Sequence, residues 1–454
     1  MIGAPSGTRR ARPQPPAIVF AASAAVAVAS LTWFGRDDWF FNDDWAQWAK
    51  RRSGASIEDP WRFFLGSHNG HWMTLNRVVF EGIYRVVGLH SYLPYLAWTI
   101  VIHVAAATVV WVVVRRAVHS PWVATGAGVV FLFLGAGAEV LGWADAGGFA
   151  APLALGGAQL LLVDHDGPPD RRDAIGLGCA LLSVMAGGPA LVMLGVVTLS
   201  LVLRGRPAAI AIGVLPPALL WALWWWAVGR SHHRELLGGG KAGLLAPFVS
   251  TGVLGTLDAL TRLGIAGVVA VALVGLVSWR GQAWRQRNLA PVAALAAGCV
   301  AFFVQAGLAR AGDGVEQAGA SRYLYVGAFL VLPLLAYGVD LVLTLAPRLR
   351  VAAVALSAWV LLSNLSLLAE WNRYWEPIEA EMRTAVGVVV ELPGVEQLDP
   401  AQRLEDPEGR FKAEWLPPVG VLVDLHRHGD LPAPESVSDE ERRRWAEALG
   451  LPPP

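Results

Sequence analysis

The chain has 454 residues with 36 basic and 36 acidic side chains, so its formal net charge is zero and it lacks the basic excess typical of nucleic-acid-binding proteins. Hydrophobic residues make up 55% of the chain and charged residues only 16%, whereas a soluble domain has about 25% charged residues. The two cysteines, Cys179 and Cys299, each lie inside an apolar run and support neither a disulfide framework nor a metal site. With a mean hydropathy of +0.46, the composition indicates a multi-spanning membrane protein.

The first apolar run, residues 17–34, follows three arginines near the amino terminus, Arg9, Arg10 and Arg12. A cleaved signal peptide has a shorter apolar region and ends at a small-x-small cleavage site. This run is longer and ends in Leu-Thr-Trp-Phe. We therefore interpret it as an uncleaved first membrane span, with residues 1–16 in the cytoplasm.

Ten further apolar runs are candidates for membrane spans, which need about 20 residues each. The run 174–203 is too long for one ordinary span and short for two, and we divide it at Gly187-Gly188-Pro189. The predicted spans after the first are 92–114, 122–141, 149–163, 174–186, 189–203, 208–228, 252–279, 289–308, 323–345 and 351–368.

The distribution of basic residues supports this division. With two spans in 174–203, fourteen arginines lie in cytoplasmic segments, against five basic residues in the outer loops 138–148, 229–250 and 309–322. One long helix there would send the later basic clusters outside, against the positive-inside rule. The predicted fold is therefore an all-α polytopic bundle of about eleven transmembrane helices over residues 17–368.

Two long segments are predicted to face outward. Residues 35–91 form the first outer loop, and residues 369–454 form an extracytoplasmic C-terminal tail or small domain. In the first outer loop, Leu75 and Val79 belong to a set of apolar residues at helical spacing, with Arg77, Glu81 and Arg85 on the other side. This pattern predicts an interfacial helix with its apolar face toward the membrane, along which the three charged residues can pair.

The segment RDDWFFNDDW, residues 36–45, brings four carboxylates together directly after the first span. One interpretation is that they only cap the following helix and face water. Because carboxylates at a membrane surface cost solvation free energy unless they are paired or used, two acidic pairs flanked by four aromatic residues favour a functional role instead. The four acids are Asp37, Asp38, Asp43 and Asp44.

A second polar element, SHNGHWMTLNR, occupies residues 67–77. His68 and His71 are three apart, but the Asn-Gly between them predicts a turn. A metal site would need a third ligand, which the sequence does not mark. Hydrogen bonding by the two histidines is therefore favoured over a bound divalent ion.

These elements resemble a known family. The topology, together with Asp43-Asp44-Trp45, Asn69-Gly70-His71-Trp72 and Leu75-Asn76-Arg77 ahead of the second span, is similar to the GT-C superfamily of membrane glycosyltransferases. The likeness in topology extends to about residue 368, and the motifs lie within residues 36–77. The doubled DDW differs from the single acidic pair of the family, so the resemblance leaves open which pair is catalytic.

The resemblance implies transfer of a sugar from polyprenyl phosphate to a lipid, glycan or protein acceptor on the outer face of a bacterial cytoplasmic membrane. A carboxylate would take the proton of the acceptor hydroxyl, which implies Asp43 or Asp44, with Asp37 and Asp38 as the alternative pair. A monophosphate donor has no pyrophosphate that demands Mg²⁺, so no cofactor is required and a divalent metal is optional. Cationic and polar groups would stabilise the leaving phosphate. The residues proposed for substrate and phosphate binding are His68, His71, Arg77, Arg322 and Tyr323.

Other polar residues have simpler interpretations. Arg322 could equally be an interfacial anchor beside Tyr323. Asp145, in an outer loop with Glu139, is either a helix cap or a supporting acid. His103 is predicted to be a core histidine. A further set is predicted to be structural or solvated: Asp258 paired with Arg262, Asp340, His426 and His428, and the outer-loop residues His232, His233, Arg234 and Lys241.

Three alternative functions are open. An O-antigen ligase or polymerase typically carries its catalytic outer loop late in the chain, whereas here the acids follow the first span. A transporter or lipid flippase would place several ionisable groups in mid-bilayer or show repeated halves, and the chain has little of either. A catalytically inactive scaffold is the third.

Overall fold

The computed structural model describes residues 14–45, 59–232, 242–264, 267, 287–432 and 437–452, which form a bundle of α-helices with one two-stranded hairpin. The hairpin pairs β1 (Ser67–His68) with β2 (His71–Trp72) in antiparallel orientation. The helices of the first outer loop and the first half of the bundle are α1 (Pro15–Phe34), α2 (Pro60–Leu65), α3 (Thr74–Val87), α4 (Leu93–Ala117), α5 (Pro121–Leu132), α6 (Ala138–Gly142), α7 (Gly147–Val163), α8 (Arg171–Val184) and α9 (Ala190–Arg204). The remaining helices are α10 (Pro207–Gly213), α11 (Leu215–Ala227), α12 (Ala242–Thr261), α13 (Ala290–Arg310), α14 (Ser321–Leu345), α15 (Arg350–Val389), α16 (Val419–Arg427) and α17 (Asp439–Ala448).

The helices confirm the predicted polytopic all-α fold. Within the described ranges, eight segments are long and apolar enough to cross a membrane. Two shorter apolar helices, α7 and α9, pack among them. The long segments are α1, α4, α5 with α6, α10 with α11, α12, α13, α14 and α15.

The predicted division of the run 174–203 is confirmed. Helix α8 ends at Val184 and α9 begins at Ala190, and between them Gly187 has φ +154°, with the carbonyl oxygen of Gly148 where a Cβ would stand. Only glycine fits both this backbone conformation and this close approach. The far ends of the two helices meet, because Arg206 at the end of α9 donates to Asp173 in α8 at 3.2 Å. The two helices therefore form a hairpin with both ends on one side.

The α8–α9 hairpin is short, and residues of the first outer loop contact its tip. Helices of 14 and 15 residues are only about 21–23 Å long, against about 30 Å of hydrocarbon. At the tip of the hairpin, the backbone N–H of Leu75 donates to Met185 O at 2.9 Å, and Asn76 Nδ2 donates to Ala186 O at 3.5 Å. The first outer loop is thus seated inside the bundle.

Helix α3 is amphipathic as predicted, and its polar side faces the protein interior. Asn76, Arg77 and Glu81 are buried, whereas Val78 and Val86 are exposed. Glu81 forms the expected pair with Arg85, at 2.8 Å. Arg77 does not lie on an open polar face, because its guanidinium is enclosed by the chain before the hairpin. The exposed valines are on the side predicted to contact the membrane.

The predicted span 252–279 is wrong in its bounds. Helix α12 begins ten residues earlier, at Ala242, and ends at Thr261. Arg262 and Gly264 have φ of +53° and +54°, and the backbone N–H of Gly264 donates to Asp258 Oδ1 at 2.9 Å. Asp258 therefore caps the end of the helix, where an ion pair with Arg262 was expected. Hydropathy cannot detect this ending because the residues on both sides are apolar. Most of the predicted span after residue 264 lies outside the described residues, as do His233, Arg234 and Lys241.

Helix α15 does not stop at residue 368, where the last span was predicted to end. It runs 40 residues to Val389, which is about 60 Å and twice the hydrocarbon thickness. Beyond it, residues 390–432 and 437–452, here named the C-terminal cap, fold back on the helix. Trp445 of α17 is fully buried, and Arg444 pairs with Glu381 of α15 at 2.6 Å. The cap therefore encloses the projecting end of α15.

Candidate active site in the first outer loop

Aromatic residues anchor the acidic segment after α1. Trp39, Phe40, Phe41 and Trp45 are all at most 6% exposed. The ring of Phe40 lies 4.9–5.6 Å from the rings of Trp45, Tyr92 and Tyr95. Burying these four rings holds the short segment between them in one conformation. The carboxylates of the second DD pair are thereby placed on a rigid support.

Asp44 points inward and joins two loops. Its side chain is 2% exposed and accepts hydrogen bonds from Tyr92 Oη (3.1 Å), the N–H of Asp145 (3.1 Å) and the N–H of Phe41 (3.3 Å). Tyr92 Oη in turn accepts the N–H of Ala144 at 2.7 Å. Burial, and then the charge of Asp145, raise the pKa of Asp44 well above its ordinary value. Asp44 is thus fully engaged in holding the structure together.

Asp43 differs from Asp44 because its side chain is partly exposed. Its side chain is 26% exposed and lies 3.4 Å from His68 Nε2. Asn69 Nδ2 donates to its two carboxylate oxygens at 3.3 and 3.4 Å. The same ring nitrogen, His68 Nε2, lies 3.8 Å from Asp145 Oδ2. Two acids from distant parts of the chain therefore flank one histidine, and only Asp43 has its carboxylate partly open to solvent.

The hairpin orients these partners. Asn69 and Gly70 form its two-residue turn with φ of +49° and +83°, the conformation for which Asn-Gly is the preferred sequence. This turn is the reason that His68 and Asn69 meet Asp43. Asn42, just before Asp43, also has a positive φ, of +51°. Residues in this backbone conformation cluster at functional sites. Here Asn42 directly precedes Asp43 in the chain, and Asn69 donates a hydrogen bond to its carboxylate.

His71 and Arg77 lie beside this cluster. His71 pairs with His68 across the hairpin and packs on the α8–α9 tip, where a Cβ on Gly188 would come within 2.8 Å of its ring. Arg77 Nη1 donates to Phe63 O at 2.5 Å and to Gly66 O at 2.6 Å. Burial lowers the pKa of Arg77 to about 10, and the charge of Asp145 opposes this shift, so Arg77 is still cationic at neutral pH.

Arg322 and Tyr323 are engaged elsewhere at the start of α14. Arg322 Nη1 lies 2.5 Å from Glu139 Oε1, and its backbone N–H donates to Glu139 Oε2 at 3.1 Å. Tyr323 is buried against Phe302 and Phe149. Arg322 therefore already has an anionic partner, Glu139. A phosphate that binds Arg322 would have to share this contact or displace Glu139 from it.

The alternative acidic pair lies apart from His68. Asp37 is exposed and pairs with Arg36 at 3.0 Å. Asp38 lines a small cavity of about 30 Å³ beside Trp371. Burial, and then the charges of Asp37 and Glu376, raise the pKa of Asp38 to about 7. Within the described part of the chain, neither carboxylate has the histidine and asparagine partners that Asp43 has.

Other predictions are settled by direct contacts. His103 is fully buried between Tyr325 Oη (3.0 Å) and Leu132 O (3.1 Å), which confirms a core histidine. Asp340 accepts the backbone N–H groups of His119 and Ser120, both at 2.9 Å, which confirms a structural role.

Sequence reasoning gave Asp145 two possible roles and overlooked Tyr92. The sequence allows Asp145 to be either a helix cap or a supporting acid. In the structure its carboxylate lies 3.8 Å from His68 Nε2. Tyr92 was placed at the start of the second predicted span, without a role in the site. Tyr92 lies directly before a span, where tyrosines usually anchor the chain at the membrane interface. Its position therefore predicts an interfacial anchor and does not predict the hydrogen bond to Asp44.

Among the residues that the structure describes, two clusters have the donors for a metal ion. Asp43, His68 and Asp145 each offer one ligand atom, and these atoms lie within 4.8 Å of one another. A divalent cation held by two carboxylates and an imidazole is chemically reasonable, and Asp145 supplies the third ligand that the sequence did not mark. The second cluster, His165 with Asp170 and Asp173, already contains a cation, because Arg206 Nη2 lies 3.2 Å from both His165 and Asp173. Only the first cluster is suited to a metal.

No family model matches the sequence, and no curated protein matches it. Two solved structures are similar. ArnT from Cupriavidus metallidurans bound to undecaprenyl phosphate superposes with a TM-score of 0.50 at 14% identity, over 95% of this chain and 87% of that one. The same protein in the apo state gives a TM-score of 0.49 at 14% identity, over 92% and 89%. The first likeness confirms the predicted fold, a polytopic bundle of membrane-spanning helices, which this chain shares with ArnT.

Proposed function

We propose that this protein is an integral membrane glycosyltransferase that moves a sugar from a polyprenyl-phosphate donor to a cell-envelope acceptor on the outer face of a bacterial cytoplasmic membrane. The observation that carries the proposal is the cluster of Asp43, His68, Asn69 and Asp145. The fold supports it, because a similar structure was solved bound to undecaprenyl phosphate.

Asp43 is the proposed general base. An acceptor hydroxyl has a very high pKa, so a carboxylate must remove its proton as the oxygen attacks the anomeric carbon. The carboxylate of Asp43 is partly open, whereas Asp44 is enclosed by three hydrogen-bond donors. Of the two candidates, Asp43 alone can reach a substrate. Asp44 is proposed to hold the loops of Asp43 and Asp145 together.

His68 and Asn69 are proposed to orient Asp43. Asn69 donates to both carboxylate oxygens, which fixes the orientation of the carboxylate plane. His68 Nε2 lies 3.4 Å from Asp43 Oδ1 and 3.8 Å from Asp145 Oδ2, so the imidazole limits the positions that the Asp43 carboxylate can adopt. A carboxylate held in this way needs little reorganisation when the acceptor binds.

The leaving phosphate needs cationic partners. Arg77 supplies positive charge behind Asp145, and His71 lies beside His68. Arg322 and Tyr323 are proposed as a second anchor for the donor, with Arg322 exchanging part of its contact with Glu139 for the phosphate. If a divalent cation binds, Asp43, His68 and Asp145 would hold it, and it would supply charge neutralisation for the phosphate.

The test compares two adjacent carboxylates. Asp43→Asn and Asp44→Asn are purified and assayed for sugar transfer from a polyprenyl-phosphate donor to a cell-envelope extract, with melting temperature measured in parallel. Loss of a general base typically lowers the rate about 10²–10⁴-fold, and we expect this loss in Asp43→Asn without a change in melting temperature. Full transfer by Asp43→Asn would reject Asp43 as the base. A protein that moves the intact donor across liposomes without cleaving it would be a transporter instead.

Chelation tests the optional metal. Transfer that is lost in EDTA and restored by Mg²⁺ or Mn²⁺ supports a cation at Asp43, His68 and Asp145. Transfer that is unchanged by EDTA supports a metal-free mechanism with the same residues.

A further inference from the structure

The segment that carries Asp43 is held by a residue almost at the other end of the chain. The backbone N–H of Asn42 donates to the carbonyl oxygen of Trp415 in the C-terminal cap at 2.8 Å. Asn42 has φ +51°, a left-handed conformation that non-glycine residues rarely adopt. Its side chain is exposed, so the contact with Trp415 is made by the backbone. This hydrogen bond lies one residue from the proposed base.

A series of aromatic rings in contact connects the site with Trp415. Trp143, two residues before Asp145, lies 5.2 Å from the ring of Phe41. Phe41 lies 5.0 Å from Trp375 of α15, and Trp375 lies 5.2 Å from Trp415. The series therefore touches the segment of Asp43, the loop of Asp145 and the cap. Rings in contact at these distances move together, because a shift of one opens a void beside the next.

The cap fixes Trp415 in turn. Trp415 ends a short 3₁₀ helix, and its N–H donates to Lys412 O at 2.9 Å. The following residue, Leu416, is 1% exposed, and its carbonyl oxygen accepts Arg403 Nη1 at 2.8 Å. The carbonyl that receives Asn42 thus belongs to a buried, hydrogen-bonded part of the cap.

We propose that Trp415 is a positioning residue for Asp43, so that the C-terminal cap completes the catalytic site. The proposal rests on the function proposed above for Asp43. The carbonyl of Trp415 holds Asn42 in its left-handed conformation, and the ring of Trp415 presses the Trp375–Phe41 pair against Trp143. Without either contact, Asp43 shifts relative to His68 and the acceptor. A displacement of about 1 Å can lower the rate about 10²-fold.

The experiment uses the full-length protein and two pairs of variants. Trp415→Ala removes the ring, and Trp415→Phe keeps an aromatic contact with Trp375. Asn42→Val disfavours the left-handed backbone, and Asn42→Gly accommodates it without loss of packing. We expect kcat to fall about 10²-fold in Trp415→Ala and Asn42→Val with KM for the polyprenyl-phosphate donor unchanged, and to stay near wild type in Trp415→Phe and Asn42→Gly. Trp445→Phe, at the buried Phe411–Trp445 stack, is the control for general loosening of the cap, and it should lower melting temperature and not kcat.

A double-mutant test separates positioning from structural damage. If Trp415 acts through Asp43, adding Trp415→Ala to Asp43→Asn causes no further loss of kcat. A further loss of the same size as in the wild-type background overturns the proposal, and so does full activity of both Trp415→Ala and Asn42→Val. Full activity of Asp43→Asn alone rejects the proposed base instead, so failure of the two proposals can be told apart.

Discussion

The carboxylate of Asp44 accepts the backbone N–H of Asp145 at 3.1 Å, and this contact ties the first outer loop to the loop between α6 and α7. Asp43 and Asp145 both approach His68 Nε2, at 3.4 and 3.8 Å. Adjacent acids of one motif thus have opposite environments, one enclosed and one partly open.

Asp44→Asn should be mainly a stability variant. The amide keeps one acceptor oxygen, but its NH₂ group faces the donors that the second carboxylate oxygen accepted. Leaving a buried donor unsatisfied costs about 1–3 kcal/mol of unfolding free energy. Thermal unfolding in detergent should show a lower melting temperature than in Asp43→Asn. Equal melting temperatures of the two variants would contradict the buried role of Asp44.

Tyr92→Phe should destabilise the same junction. Burial, and then the charge of Asp44, raise the pKa of Tyr92 well above its ordinary value, so its hydroxyl keeps its proton and donates to Asp44. Removing the hydroxyl also leaves the N–H of Ala144 without its acceptor, at a cost of about 1–3 kcal/mol. Tyr95→Phe is the matched control, because that hydroxyl donates to Gly88 O at 2.8 Å, away from Asp44. Melting temperature should fall more in Tyr92→Phe than in Tyr95→Phe.

The free energy of unfolding should decrease as the pH rises, because of Asp38. Its pKa is raised from 3.8 to about 7, chiefly by burial, so the folded protein binds more protons than the unfolded chain between these two values. The stabilisation is complete below pH 3.8 and is lost as the pH rises through 7. Asp38→Asn should flatten the melting temperature between pH 5 and pH 8 and raise it at pH 8. Asp37→Asn, on the exposed neighbour, is the control, and an unchanged slope in Asp38→Asn would exclude this source of the pH dependence.

Glycine is required at the tip of the α8–α9 hairpin. In Gly187→Ala the new Cβ would collide with the backbone of Gly148 at a φ of +154°, and in Gly188→Ala it would meet the ring of His71 at 2.8 Å. Both variants should lower melting temperature, and Gly188→Ala should also lower transfer because it displaces His71. Gly178→Ala in α8 meets no atom within 4 Å and should be neutral or stabilising by up to about 1 kcal/mol.

The topology is tested by labelling. The arginine distribution predicts a cytoplasmic amino terminus and an outward C-terminal cap. In a chain with Cys179 and Cys299 replaced by serine, single cysteines at the exposed positions Glu414 and Pro168 are treated with a membrane-impermeant thiol reagent in intact cells. Labelling of Glu414→Cys and protection of Pro168→Cys is expected. The reverse pattern would invert the predicted topology and remove the outer-face site.

The sequence alone determined the helical, membrane-spanning class, the hairpin divided at Gly187-Gly188-Pro189, and the motifs of residues 36–77. These depend on local composition, on the length of apolar runs and on turn residues, all of which are read within a few tens of residues. The turn that orients His68 and Asn69 was also readable, because Asn-Gly has its own backbone preference. The motif alone did not show which of its acids is open to a substrate.

Only the tertiary structure decided that question and the extent of the site. Asp44 is enclosed because Tyr92 and the backbone of Asp145 approach it from other elements, and such long-range contacts leave no periodic signal in the sequence. The same reason applies to Trp415, whose carbonyl reaches Asn42 across most of the chain. The termination of α12 just before Arg262 could not be predicted either. Hydropathy reports the free energy of burial and is insensitive to the sign of φ. The length and spacing of the apolar segments could be predicted from the chain, whereas the enclosure of individual polar residues depends on contacts between distant segments that exist only in the folded protein.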